Sequence, residues 1–301
     1  MQEINGIVIK SQSGFFTVDA DEGQYTARLR GRFKQRDKVG DIIAVGDHVK
    51  ISIQVDGTAM IEEIADRESK FSRMAPTARG VYEQIIIANP DQVLLTFSCT
   101  EPEPRMRMLD RFLIIVEEQE IPSVIVVNKV DLLGISKAKK IFGHYPELGY
   151  KVIYTSASKN RGIGKLRKLL QGKISVLVGP SGVGKSSLLN AVQSDLGIHV
   201  KEISKANMKG KHTTVVREMH PVDGGGYVAD TPGLKALGLW DIEPEELDAY
   251  FPELRELVPF CKFSSCTHLQ EPGCAVIEAV EQGKVHPARY DSYVRLRLDE
   301  G

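Results

Sequence analysis

Residues Gly179-Pro180-Ser181-Gly182-Val183-Gly184-Lys185-Ser186 follow an apolar run that ends at Val178, and a stretch able to wind into a helix begins at Lys185. This is the spacing G-x-x-x-x-G-K-S/T between strand and helix, the setting of a phosphate-binding loop. Its glycines let successive backbone N–H groups turn inward around an anion, and the helix N-terminus adds partial positive charge. By composition alone the pattern arises in roughly one chain of this length in a hundred, and fewer place it between a strand and a helix. A loop of this kind commits its surroundings to a parallel sheet covered by helices. Lys185 is expected to hold β- and γ-phosphates and to serve catalysis, Ser186 to hold Mg2+, and the binding set to extend to Ser187.

The flanking chain alternates as that architecture requires. Apolar runs at Val93–Phe97, Val124–Val127, Val152–Tyr154 and Ile174–Val178 are separated by helical spacing over Met106–Gln119, Lys137–Phe142 and Ile163–Leu170. Directly after the second run stands Asn128-Lys129-Val130-Asp131, and Thr155-Ser156-Ala157 follows the third. A carboxylate at Asp131 can accept from the ring N–H and the amino group of guanine. Adenine lacks that donor pair and would leave the carboxylate unpaired. Ser156 and Ala157 complete the expected base pocket. Asp230-Thr231-Pro232-Gly233 ends a further strand at Tyr227–Ala229. Asp230 is expected on Mg2+ and the Gly233 N–H on the γ-phosphate. Between these motifs, Gly210-Lys211-His212-Thr213-Thr214 occupies the place of a first switch, with Thr214 favoured over Thr213 as a Mg2+ ligand. Where Ras-like proteins carry a water-orienting glutamine this chain has Leu234, so either hydrolysis is slow until a partner stimulates it or another residue positions the water; His212 is the nearest candidate, and a satisfied surface histidine is the competing reading. Together the motifs predict a guanine-nucleotide switch. The base readers precede the phosphate elements, so the GTPase domain is circularly permuted in chain order.

Residues 1–66 carry about five short alternating runs separated by turn residues, which predicts a small closed barrel. An OB-type barrel fits best, and an SH3-like barrel also accommodates five strands. Residues 67–84 are expected as a linker packed over the next domain, 85–238 as the α/β GTPase domain, and 239–301 as a mostly helical C-terminal domain. Cys261, Cys266, His268 and Cys274 lie within 14 residues and supply a closed Cys3His set for one zinc per chain. Cys99 reads as a core thiol. Arg28, Arg30, Arg32, Lys34, Arg36 and Lys38 recur at every second position and form either a solvated strand face or a candidate RNA-binding stripe or arm. The 301 residues balance to a net charge of −1, so nucleic-acid contact must come from local patches. Nothing resembles a signal peptide or a membrane span, and the expected setting is a cytoplasmic monomer.

The order N-K-V-D, S-A, G-P-S-G-V-G-K-S-S, G-K-H-T-T, D-T-P-G, then C-x4-C-x-H-x5-C resembles the ribosome small-subunit-dependent GTPase A family, the YjeQ/YloQ-type proteins. The resemblance covers essentially the whole chain. It implies an N-terminal OB barrel, a permuted GTPase domain and a C-terminal zinc domain. It also implies a factor that binds the small ribosomal subunit and its rRNA late in maturation, with GTP hydrolysis stimulated by the subunit and release in the GDP state. Leu234 and the histidine before the switch threonines fit that family. Some potassium-dependent GTPases carry asparagine at the fourth loop position, where this chain has Gly182, and the resemblance does not extend to potassium activation. An RNA-binding adaptor using GTP as a conformational ligand, and a GTPase acting on another RNA, remain the alternative readings.

Overall fold

The computed structural model describes residues 3–31, 41–54, 57–77, 80–194, 217–230 and 242–298. Alternation of apolar and polar residues folds the N-terminal region into β1 (Glu3–Gln12), β2 (Phe15–Ala20), β3 (Gly23–Leu29), β4 (His48–Ile53) and β5 (Ala59–Ile64). Every second side chain turns inward, so Val8, Val18, Ala27, Ile51, Ala59 and Ile61 are fully buried in one core. The strands run β1-β2-β3-β5-β4, β4 closes back on β1, and β3 pairs with β5 in parallel. That connectivity is OB-type and settles the choice against an SH3-like barrel.

The stretch expected as a linker instead contributes to an antiparallel hairpin, β6 (Lys70–Thr77) and β7 (Gly80–Ala88). The backbone of Ser72 exchanges hydrogen bonds with the Gln119 amide, and Phe71 and Ile87 enter the core of the next domain. Scattered charges and Pro76 concealed the alternation. Barrel and hairpin meet at Gly46, which takes φ +98° and whose N–H donates to Val8. A Cβ there would lie 2.0 Å from the Ala88 carbonyl oxygen, so only glycine permits the approach. Beside it the buried Asp47 carboxylate receives both Arg67 Nε (2.7 Å) and Nη2 (2.8 Å).

The central sheet holds β8 (Gln92–Ser98), β9 (Ser123–Asn128), β10 (Lys151–Tyr154), β11 (Lys173–Val178), β12 (Arg217–Pro221) and β13 (Gly226–Asp230). Five strands are parallel in the order β10-β9-β8-β11-β13, and β12 runs antiparallel along β13. The β12 strand is too polar to be read from its sequence. Neighbouring strand residues face opposite ways, which builds two cores. Leu95, Phe97, Ile125 and Val127 pack against α1 (Met106–Glu118) and, beyond the short α2 (Val130–Leu133), against α3 (Ile135–Phe142). Leu94, Val124, Val126 and Leu177 pack against α4 (Ile163–Leu170) and α5 (Lys185–Val192).

Two attachments join the other units to this sheet. The ten-residue β1 outlasts the barrel: its first half pairs with β4, while Lys10 and Ser11 pair with Glu218 and Arg217 of β12. The result is one continuous sheet, reinforced by Lys10–Glu218 (3.0 Å) and by Tyr227 Oη donating to Asp19 (2.8 Å). At the C-terminus, a 3-10 turn (Pro244–Tyr250), α6 (Pro252–Arg255), α7 (Ala275–Glu281) and α8 (Pro287–Arg297) enclose Leu247, Phe251, Leu254, Val276 and Tyr293 around Ile114 of α1. In that interface the fully buried Arg289 donates to Asp110 (2.7 Å) and Glu253 (2.6 Å) and lies 4.5 Å above the Phe251 ring. Tyr145 and Ser292 also donate to Asp110, so the two carboxylates that share one guanidinium are each hydrogen-bonded. Asp110→Ala leaves Arg289 buried with half its partners and should destabilise the chain by about 3–5 kcal/mol in urea unfolding. A change below ~1 kcal/mol would show that the network is not holding the two units together.

Candidate nucleotide-binding site and metal centre

The carboxyl ends of β8, β9, β11 and β13 converge on one edge of the sheet. Gly179 leaves β11 against the end of β8, where a Cβ would sit 2.0 Å from the Thr96 carbonyl oxygen. Gly184 ends the loop at φ +93°, and no side chain caps the N–H groups that open α5. Lys185 Nζ donates to the carbonyls of Gly179 (2.8 Å) and Pro180 (3.1 Å). Burial pushes this ammonium below the ordinary lysine range, and the charge of Asp230 works against that shift. Ser186 Oγ donates to Asp230 Oδ2 at 3.0 Å, which brings together two residues 44 positions apart. Asp230 Oδ1 is buried without a hydrogen-bond partner among the described residues. A hydroxyl beside an unpaired buried carboxylate oxygen is a donor set suited to a hard divalent cation.

The base-reading segment is tied to this loop through Asn128. Its Nδ2 donates to the Val183 carbonyl (2.9 Å), and its Oδ1 accepts from Ala157 N (3.3 Å) and Thr155 Oγ1 (3.3 Å). Lys129 adopts a left-handed conformation at φ +63°, and its ammonium donates to the Glu101 carbonyl. Asp131 falls within α2 rather than at the end of β9. Its carboxyl is held below the usual range, first by the Ser156 hydroxyl and also by Ser158, whose Oγ lies 3.1 Å from Oδ2. It is therefore ionised and acceptor-only, as a guanine reader must be. Val130 points into the core, so its side chain is withheld from the pocket.

Three contributors were not legible in the sequence: Ser158, Glu101 through its carbonyl, and the buried Cys99, whose thiol donates to the Lys129 carbonyl at 3.2 Å. Each acts through loop backbone geometry that no motif encodes. His212, Thr213, Thr214, Gly233 and Leu234 lie outside the described residues, as do Arg32, Lys34, Arg36 and Lys38. Of the basic stripe's described residues, Arg28 lies in β3, which ends at Leu29, and Arg30 follows it. Arg28 stacks on the Phe15 ring at 4.4 Å, and Arg30 pairs with Glu62 at 2.6 Å.

Cys261, Cys266, His268 and Cys274 bring their ligand atoms within 4.8 Å of one another. His268 Nδ1 is 3.3 Å from Cys274 Sγ and 3.6 Å from Cys261 Sγ, and the latter two sulfurs are 3.9 Å apart. Ligands of a tetrahedral zinc, at about 2.0–2.3 Å from the metal, stand at such separations. His268 Nε2 lies 3.0 Å from Asp248 Oδ2, which leaves Nδ1 free to act as the ligand.

Comparison with known proteins aligns with this geometry. A family model described as the RsgA GTPase matches residues 64–240, and one described as the RsgA N-terminal domain matches 5–61. A protein of Gemmatimonas aurantiaca named small ribosomal subunit biogenesis GTPase RsgA is 43% identical over 97% of this chain and 96% of its own length. A protein of the same name from Halalkalibacterium halodurans is 41% identical, covering 96% and 94%. The crystal structure of YjeQ from Thermotoga maritima superposes with a TM-score of 0.79 at 36% identity, covering 99% of this chain and 98% of that one. YloQ, described as a circularly permuted GTPase, gives 0.74 at 33%, covering 99% and 95%.

Asn128→Ala removes the bonds that tie the base-reading loop to the phosphate loop. Guanine-nucleotide affinity should fall about tenfold or more, or ~1.4 kcal/mol, with circular dichroism unchanged. Affinity equal to wild type by titration calorimetry would mean that the link does not organise the site.

Proposed function

Because the chain belongs to the RsgA GTPase family, we propose that it hydrolyses GTP as a late maturation factor of the small ribosomal subunit. The observation that carries this reading is the meeting of base reader, phosphate loop and cation pair at one sheet edge: Asn128 on Val183, Ser186 on Asp230. Asp131 selects guanine, and Ser156 and Ala157 close the pocket around the base. Gly179 to Ser187 wrap the phosphates with backbone N–H groups and Lys185, whose charge favours the transferring group. Ser186, Thr214 and Asp230 would hold Mg2+, which neutralises charge developing between the β- and γ-phosphates. Gly233 senses the γ-phosphate, and His212 orients the attacking water where the glutamine position carries Leu234.

The Cys3His cluster holds one zinc per chain. Four protein ligands leave no open position, so the metal has a structural role. The partner is the small subunit through its rRNA, with the OB-type barrel and its basic arm (Arg28, Arg30, Arg32, Lys34, Arg36 and Lys38) as one contact. The site of action follows as the cytoplasm, and the chain acts as a monomer. No helix among the described residues is long and apolar enough to cross a membrane.

Turnover measured with and without purified small subunits tests the reading. Stimulation by about two orders of magnitude or more is expected, and none would leave only a nucleotide-dependent adaptor. Lys185→Ala should abolish basal and stimulated turnover, whereas His212→Ala should lower stimulated turnover with GTP affinity kept. Metal analysis should find about one zinc per chain, and Asp248→Ala should weaken zinc affinity ~10–100-fold in chelator competition. Absence of zinc from protein purified without chelator would remove the metal from this account.

A further inference from the structure

Between Leu132 and Lys173 the chain carries ten lysines and arginines and a single acid, Glu147. This net of +9 stands in a chain whose overall balance is −1. The topology gathers much of it along one border. Strand β10 is the outermost of the parallel sheet and, among the described residues, pairs only with β9. Beside it, α3 buries Ala138 and Phe142 and leaves Lys137, Lys139 and Lys140 exposed. Lys151 is exposed where β10 begins. At the far end of the strand, a loop pinched by the Ser156–Arg161 bridge exposes Lys159 and Arg161.

These cations are not spent inside the fold. Lys137, Lys139, Lys140 and Lys151 have no ion pair among the described residues. Lys137 and Lys140 stand three apart on an eight-residue helix, where like charges destabilise. Charge on an edge strand discourages unwanted strand pairing, but Lys151 alone meets that need. The α3 lysines therefore point to an anionic partner outside the molecule. A lipid surface would require an apolar stripe beside the cations. Here the apolar face of α3 is packed on the sheet, and only Leu132 and Ile135 are exposed at its start.

We propose that the α3–β10 border is an RNA-docking face, on which Lys137, Lys139, Lys140 and Lys151 engage phosphates of structured RNA in the small subunit. The proposal rests on the ribosomal reading above and adds a surface distinct from the barrel's basic arm. Lys159 and Arg161 extend the positive border to the loop whose Ser158 holds Asp131, so RNA docked there lies beside the element that orients the base reader. Lys165 and Lys168 belong to another surface, because α4 packs on β11, β13 and α5.

The test compares the zinc-loaded full chain with a Lys137→Gln/Lys139→Gln/Lys140→Gln/Lys151→Gln variant. Binding is measured to small subunits and to a ~16-base-pair RNA duplex between ~50 and ~200 mM salt. The variant should bind both at least ~10-fold more weakly, with a salt slope shallower by about 2–4 and basal GTP hydrolysis unchanged. Lys165→Gln/Lys168→Gln is the comparator and should change little. Unchanged affinity and slope would overturn the proposal, as would an equal loss per charge in the comparator. So would a loss confined to vesicles of phosphatidylserine and phosphatidylcholine. Wild-type protein that binds the duplex through these lysines but ignores subunits would sink the ribosomal reading and keep the RNA face. Full subunit stimulation with wild-type affinity in the variant would do the reverse.

Discussion

The hydrogen bond from the Asn128 amide to the Val183 carbonyl is the constraint on which the nucleotide site depends. It joins the last residue of β9 to the loop after β11, with β8 between those two strands. The approach requires glycine at two places, Gly179 against Thr96 and Gly184 against Asn128 itself. Because Asn128 also receives Ala157 and Thr155, one side chain ties together the segments at 128–131, 155–157 and 179–186. That tie is spatial, so it survives a rearranged chain order. A parallel sheet keeps its carboxyl edge whichever strand the chain enters first, provided the crossovers stay right-handed.

The peripheral units attach to the central domain at different elements and by different physics. The barrel is joined through backbone pairing of β1 with β12, continuous with the strand that ends in Asp230. The C-terminal unit is joined through α1, by an apolar core and the Arg289–Asp110–Glu253 network. The first is a ladder that tolerates many side chains. The second demands carboxylate partners for Arg289, because that guanidinium is buried. The Ser186–Asp230 pair stands at the end of the strand beside β12, and α1 carries the contacts to the C-terminal unit, so each module adjoins a different element of the central domain. The segment from Leu234 through Trp240, which connects Asp230 to the C-terminal unit in the chain, lies outside the described residues.

Much of this arrangement is legible in the residues themselves. The apolar runs mark β8, β9, β10 and β11 to within one or two residues, and helical spacing marks α1, α3 and α4. The hairpin of residues 70–88 and strand β12 escape such reading, because their pairing partners, not their own patterns, make them strands. The same holds at the site. Asp131 and Lys185 announce themselves by spacing, whereas Ser158 and Cys99 matter only because a loop folds them onto a motif.

The sequence by itself determined which residue types stand at which spacing: the phosphate-loop motif, N-K-V-D, the aspartate that ends a strand and the Cys3His set are each a short local pattern. Tertiary structure decided what those patterns share. It placed Ser186 against Asp230, left one oxygen of that carboxylate unpaired, closed the barrel in OB order and gathered Lys137, Lys139, Lys140 and Lys151 along one edge. The physical reason is range. Local spacing fixes backbone conformation over a few residues, whereas partners 44 or 55 positions apart meet only after the sheet has formed.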